Sequence, residues 1–182
     1  MLNYLLYRLG QFLALSLPLK FSYTLATFFS DIHYIFADKD RKFVAENLRA
    51  IFPEKSENEI RALRLKMSRN FSKYLVDFFR FDILDKEYIN SHVRVVNIDN
   101  FNRAMDKGKG VVVLTAHLGN WELGGVVIAL MGYPFWVVAL PHKEKMVNKF
   151  FNDKRESKGI KVIALGKAVR ACLHALKENE LI

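Results

Sequence analysis

The stretch Val111-Val112-Val113-Leu114-Thr115-Ala116-His117-Leu118-Gly119-Asn120-Trp121-Glu122 decides how this 182-residue chain is read. Its continuous apolar run predicts an interior strand over 111–116, because a strand buried on both faces shows no polar alternation. The Gly119-Asn120 turn ends that run, and a helix from about Asn120 to Met131 follows. His117 then falls at the carboxyl edge of the strand, where open α/β sheets hold their ligands. Glu122, in the first turn of the helix, is placed to fold back toward the imidazole. A carboxylate that accepts one ring N–H fixes the histidine tautomer and leaves the other nitrogen to take a proton from a hydroxyl. The helix N-terminus adds backbone N–H groups and positive partial charge for a developing oxyanion.

A histidine with an acidic residue five positions on is a weak pattern in itself. With five histidines and 19 carboxylates, about half a match is expected by chance. A second copy exists at His33 and Asp38, but it lies in an apolar helical segment without a preceding strand or a glycine turn. The strand, turn and helix around His117 are what distinguish the first copy.

Outward from this block, the chain alternates short β-rich runs with helical stretches. Strands are expected near 93–96, 111–116, 135–140 and 161–164, with helices near 101–107, 120–131, 145–157 and 167–177. Glu180-Leu181-Ile182 reads as the opening of another strand, so the domain is expected to be incomplete at its C-terminus. The fold class expected is α/β, a mostly parallel sheet with flanking helices. Upstream, a helix from about Arg41 to Ile51 is stopped by Pro53, and Ser56 with Glu59 makes a capping box for a long helix to about Phe81.

Residues 2–37 are rich in Leu, Phe and Tyr, and Arg8 and Lys20 are the only basic residues before Asp31. Pro18 and Lys20 divide the stretch, so neither half reaches the roughly 20 apolar residues of a spanning helix. The expectation is two helices in the headgroup layer, burying Leu5, Leu6, Phe12, Leu13, Phe21, Tyr23, Phe28 and Phe29. A helical cover over the core is the alternative. The organisation expected is therefore 1–37 as apolar membrane-contacting helices and 38–182 as the α/β domain.

The net charge of +9 attracts polyanions, whether nucleic acid, an anionic bilayer or acidic carriers. The single cysteine, Cys172, excludes an intramolecular disulfide and a multi-cysteine zinc site, and it stands two residues from His174, on a different helix face. No Gly-x-Ser-x-Gly elbow, phosphate loop or Gly-x-Gly-x-x-Gly run occurs.

The run His117-Leu118-Gly119-Asn120-Trp121-Glu122 resembles the signature of the bacterial lipid A biosynthesis acyltransferases of the lauroyl and myristoyl type. The resemblance extends through the apolar N-terminus, Arg41, Val44, Asn47-Leu48, Phe52-Pro53-Glu54, Asn148, Arg155 and Gly159. It implies a glycerolipid-acyltransferase-like fold with His117 and Glu122 as catalytic dyad and Arg155 as a basic residue important for activity. Gly119, Asn120, Asn148, Arg155 and Lys143 are the candidate substrate-binding residues. It also implies that the chain continues past Ile182 through a strand carrying an acidic motif. The implied reaction moves a fatty acyl group from an acyl carrier protein thioester to a hydroxyl of an anionic lipid A precursor. No metal or cofactor and no nucleic acid is expected, and the implied place is a membrane surface at the cytoplasmic face of the bacterial inner membrane. Lys143, Lys145, Lys149, Lys154, Lys158 and Lys161 fit either anionic partners or a solvated helix face with Glu144, Asp153 and Glu156. Two other readings stay open: acyl transfer to a glycerophospholipid or phosphoinositide mannoside, and a non-catalytic basic protein binding membrane or RNA.

Overall fold

The computed structural model describes the backbone of residues 1–182 and every side chain except that of Lys167. Two compact units are present, one of Leu9–Phe79 and one of Met1–Arg8 with Arg80–Ile182. Helix α1 (Leu2–Ser16) contributes residues to both.

The unit Leu9–Phe79 is helical throughout its elements. Pro18, in an extended conformation with ψ of 143°, separates α1 from α2 (Leu19–Phe36), and its carbonyl accepts the first bond of the new helix from Ser22 N–H. Helix α3 (Asp38–Ile51) ends just before Pro53, which cannot continue a helix. Helix α4 (Glu57–Phe79) opens on the expected capping box: Ser56 N–H donates to Glu59 Oε2 at 2.9 Å and Glu59 N–H to Ser56 Oγ at 3.4 Å. Ala45 and Leu48 from α3 and Ile60 from α4 form a buried cluster, with Val44, Phe52 and Leu63 around it. Between α2 and α4, Arg69 forks onto Asp31 with two 2.7 Å bonds, and Ser30 meets Ser68 at 2.8 Å.

In the other unit, α5 (Lys86–His92) is capped by Asp85, whose side chain accepts Tyr88 N–H. Helix α6 (Asp99–Met105) follows, and α7 (Trp121–Leu130), α8 (Lys145–Glu156) and α9 (Ala168–Lys177) pack against a small sheet. Strands β1 (Phe135–Ala139) and β2 (Ile160–Ala164) run parallel, with Phe135 opposite Ile160 and Ala139 opposite Ala164. Leu181 bridges Phe135 on one side and Val111 on the other, both in parallel sense. Tyr7 of α1 packs edge-on to Phe151 and stacks on Phe150 of α8.

The expectation of an α/β fold built on a mostly parallel sheet with flanking helices, glycerolipid-acyltransferase-like, is corrected. The chain is 67% helix and 7% strand, with an open two-stranded sheet. Two expected strands account for much of the difference. Residues 93–96 form no strand, and the run 111–116 makes only the bridge at Val111. Val113 N–H donates to Ile182, but among the described residues no ladder bond reaches 114–116, and Leu114 is 95% exposed. An apolar run signals a tendency to be buried, whereas a strand exists only where a neighbouring backbone supplies its hydrogen bonds.

The placement in the bacterial inner membrane, with the membrane character it carries, is also corrected. No helix among the described residues is long and apolar enough to cross a membrane. The 15 residues of α1 fall short of the span, and α2 carries Lys20 and Asp31 within its 18. Six apolar side chains of these helices, Leu5, Leu6, Phe12, Phe21, Phe28 and Phe29, are each more than half exposed.

Residues 180–182 are held to the sheet by a side-chain cluster. Glu180 accepts from Trp136 of β1 and from Lys161 of β2, and the Lys161 ammonium lies 4.7 Å from the Trp136 ring centroid. Burial works against the Glu180 carboxylate, but the Lys161 and Trp136 bonds outweigh it and hold its pKa below the usual 4.5. A carboxylate depressed in the fold contributes stability that is fully present above its unfolded value and is lost as pH falls through the folded value. Glu180→Gln is expected to remove part of the stability loss on acidification below about pH 4.5, followed by urea unfolding at several pH values. An acid profile unchanged by the substitution would show that the cluster does not pin this segment. In the helical unit, Ile60→Ala is expected to cost about 2–5 kcal/mol in chemical denaturation. Ile51→Ala, at a position 66% exposed, is expected to stay within about 0.5 kcal/mol.

Candidate functional site

The loop from Thr115 to Asn120 carries the first site residues. His117 has φ of 53°, a left-handed conformation uncommon for a residue with a Cβ, and Gly119 follows at φ of 64°. Two left-handed residues so close together turn the chain sharply between the 111–116 run and α7. Asn120 then caps α7, its Oδ1 accepting Leu123 N–H at 3.0 Å. His117 is exposed, and its ring lies 4.9 Å from that of Trp121, tilted by 34°.

Glu122, in the first turn of α7, is taken by a partner 33 residues away. Arg155, in the last turn of α8, donates from Nη2 to Glu122 Oε1 at 2.5 Å and from Nε to Oε2 at 3.0 Å. Both side chains are nearly buried, at 13% and 11% exposure. This is the bidentate geometry at which a guanidinium pairs most strongly with a carboxylate. Arg155 Nη1 also donates to Asn152 Oδ1 at 3.3 Å. No hydrogen bond joins His117 to Glu122.

Both residues nevertheless line one cavity of about 710 Å³, together with Arg155 and Asn120. That is within the roughly 300–1,000 Å³ of small-molecule sites. Its walls are mainly apolar, including Val112, Leu118, Ile128, Val138 and Leu140. Besides Glu122, α7 contributes Trp121, Gly124, Gly125 and Ile128, the i, i+3, i+4, i+7 pattern of one helix face. Val126 and Val127 point into the core instead. Of the apolar α7 residues that the sequence offers for an acyl channel, Trp121, Leu123, Val126, Val127 and Leu130, only Trp121 lines the cavity, and the small Gly124 and Gly125 carry no such signal.

The other candidates lie elsewhere. Asn148 anchors the loop after β1, its Oδ1 accepting His142 N–H at 2.9 Å, and Lys143 is exposed; neither lines the cavity. His142 stacks on Phe151 at 4.5 Å, and burial, with the nearby Arg155 charge, lowers its pKa below the ordinary histidine value. Most of the basic run has intramolecular partners. Lys149 pairs with Asp153, Lys154 is buried against Asp82, Lys158 donates to the carbonyl of Leu84, and Lys161 binds Glu180. Cys172 is half-buried in α9.

The sequence matches the model of the bacterial lipid A biosynthesis acyltransferase family over residues 1–182. The chain belongs to that family. Among curated relatives it is 30% identical over 110 residues to a phosphatidylinositol mannoside acyltransferase of Mycolicibacterium smegmatis, covering 60% of this chain and 36% of the relative. It is 19% identical over 145 residues to a lipid A biosynthesis acyltransferase of Haemophilus influenzae, covering 80% and 46%. To a lipid A biosynthesis palmitoleoyltransferase of Escherichia coli it is 25% identical over 145 residues, covering 79% and 47%. The chain thus spans between about a third and a half of the length of these relatives.

Breaking a nearly buried ion pair leaves an uncompensated charge, so Arg155→Ala is expected to cost about 3–5 kcal/mol in chemical denaturation. The double substitution Glu122→Gln with Arg155→Met removes both charges and is expected to recover much of that loss. A cost for Arg155→Ala within the scatter of surface substitutions would show that the pair does not support the fold.

Proposed function

We propose that this chain carries the catalytic part of an acyltransferase that moves a fatty acyl group onto a hydroxyl of a glycosylated, phosphate-bearing lipid. The observation that carries the reading is one apolar cavity bordered by a histidine and by a carboxylate–guanidinium pair. A lipid chain needs apolar walls, and transfer of its carboxyl group needs a base at one end.

His117 is the general base in this reading. It takes the proton of the acceptor hydroxyl, the oxygen forms a bond to the thioester carbonyl carbon, and the C–S bond of the tetrahedral intermediate breaks. The departing thiolate receives the proton from the imidazolium. Glu122 is the carboxylate that stabilises that imidazolium, and Arg155 holds it at the head of α7. Hydrogen bonds of a catalytic base are often long in the free enzyme and tighten only with substrate bound. In this reading the exposed His117, carried on a left-handed turn next to Trp121, closes onto Glu122 when substrate binds. Gly119 and Asn120 shape the turn and the helix start, where backbone N–H groups face the developing oxyanion. The donor is an acyl carrier protein thioester, whose acidic surface suits the net +9 charge and the exposed Lys143.

For the acceptor, the 30% identity to a phosphatidylinositol mannoside acyltransferase favours a phosphoinositide mannoside type of glycolipid. A lipid A precursor is the second reading, favoured by the family model. Purified protein is offered radiolabelled acyl carrier protein thioester with each acceptor, and with a glycerol phosphate lipid, and the products are separated. Labelling of a mannosylated phosphoinositide supports the first reading, and labelling confined to the lipid A precursor replaces it with the second. Labelling of only the glycerol phosphate lipid overturns both. His117→Ala is expected to lower kcat/KM by about 10²–10⁴-fold. Transfer at the wild-type rate in that variant would remove His117 as the base.

A further inference from the structure

The two adjacent glycines of α7 face different surroundings. A Cβ built on Gly125 would meet Phe135 Cε1 at 3.2 Å, so that glycine lets α7 approach β1 closely. A Cβ on Gly124 would meet nothing within 4 Å, yet the residue lines the cavity. Glycine inside a helix costs about 0.5–1 kcal/mol relative to alanine, and at Gly124 neither backbone conformation nor close packing offsets that cost. What its missing side chain leaves is open space on the exposed lining of the cavity.

The position of that room is specific. Trp121, which lies against the His117 ring, precedes Gly124 by three residues, or about 4.5 Å along the helix axis. Ile128 lies roughly one further turn along the same face. An acyl chain with its carbonyl at His117 and its tail along this face therefore passes Gly124 before it reaches Ile128.

We infer that Gly124 is a specificity-determining residue: the space left by its absent side chain sets the length of acyl chain the cavity accepts. The inference rests on the acyl-transfer reading, since it assigns the cavity to the fatty chain. A side chain at 124 would occupy volume now open to the tail while leaving His117, Glu122 and Arg155 unchanged. Each apolar methylene kept out of the cavity weakens binding by about fourfold, from about 0.8 kcal/mol per buried CH₂.

The test measures binding apart from transfer. Saturated fatty acids from butanoate, whose tail ends before Gly124, to octadecanoate displace the fluorescent fatty acid cis-parinarate from wild-type protein, Gly124→Ala and Gly124→Leu, with folding checked by circular dichroism. In Gly124→Leu the hexadecanoate-to-butanoate affinity ratio is expected to fall about fifteenfold, as for two excluded methylenes. In Gly124→Ala it is expected to fall by up to about fourfold, as for one. A merely structural role for Gly124 would weaken all chain lengths alike and leave the ratio unchanged, which overturns the inference. If Gly124→Leu does not fold, the alanine variant decides by the same ratio. Wild-type protein that binds no fatty acid also overturns it. Absence of transfer with any acceptor, alongside chain-length-dependent binding that shifts as expected, would instead sink the transferase reading and leave the cavity assignment standing.

Discussion

The nearly buried ion pair between Glu122 and Arg155 is the constraint around which the candidate site is organised. It joins the first turn of α7 to the last turn of α8, elements separated by β1 in the chain. A carboxylate and a guanidinium withdrawn from water must each find a partner, and two parallel bonds satisfy both at once. The pair therefore ties the N-terminal end of α7 to the C-terminal end of α8. The loop that carries His117 leads directly into that end of α7.

The rest of the cavity follows from shape. Parallel β1 and β2 supply one wall, and the α7 face of Trp121, Gly124, Gly125 and Ile128 supplies another. Gly125 lets α7 approach Phe135 of β1 closely, whereas a Cβ at Gly124, also on the cavity's lining, would meet nothing within 4 Å. The 111–118 segment borders the same cavity through Val112, Val113 and Leu118, with Val112 and Leu118 largely exposed. Its apolar side chains thus stand beside a site of apolar character rather than inside a sheet.

Features decided within a few residues of one another were legible in the sequence. Pro18 breaks the N-terminal helices, Ser56 and Glu59 close a capping box, and Asn120 caps α7, because each of these bonds or steric limits acts inside a single turn. The β-branched runs became β1 and β2 for a related reason, since each found a parallel neighbour across the intervening α8. The runs 93–96 and 111–116 had similar composition but not the same neighbours. Their failure to become strands moved the fold from α/β to mostly helical. The helices at the N-terminus pulled the balance the same way, and their lengths and charges keep them short of a membrane span.

The sequence by itself determined the family, the helix boundaries set by caps and prolines, and the residue types available at the head of α7. Tertiary structure alone decided that Glu122 takes Arg155 as its partner, that Asn148 and Lys143 stay outside the cavity, and that the two glycines of α7 serve different ends. The physical reason is range. Capping and backbone sterics are settled within a turn, whereas the partner of a buried charge and the space around a glycine depend on side chains brought from distant parts of the chain.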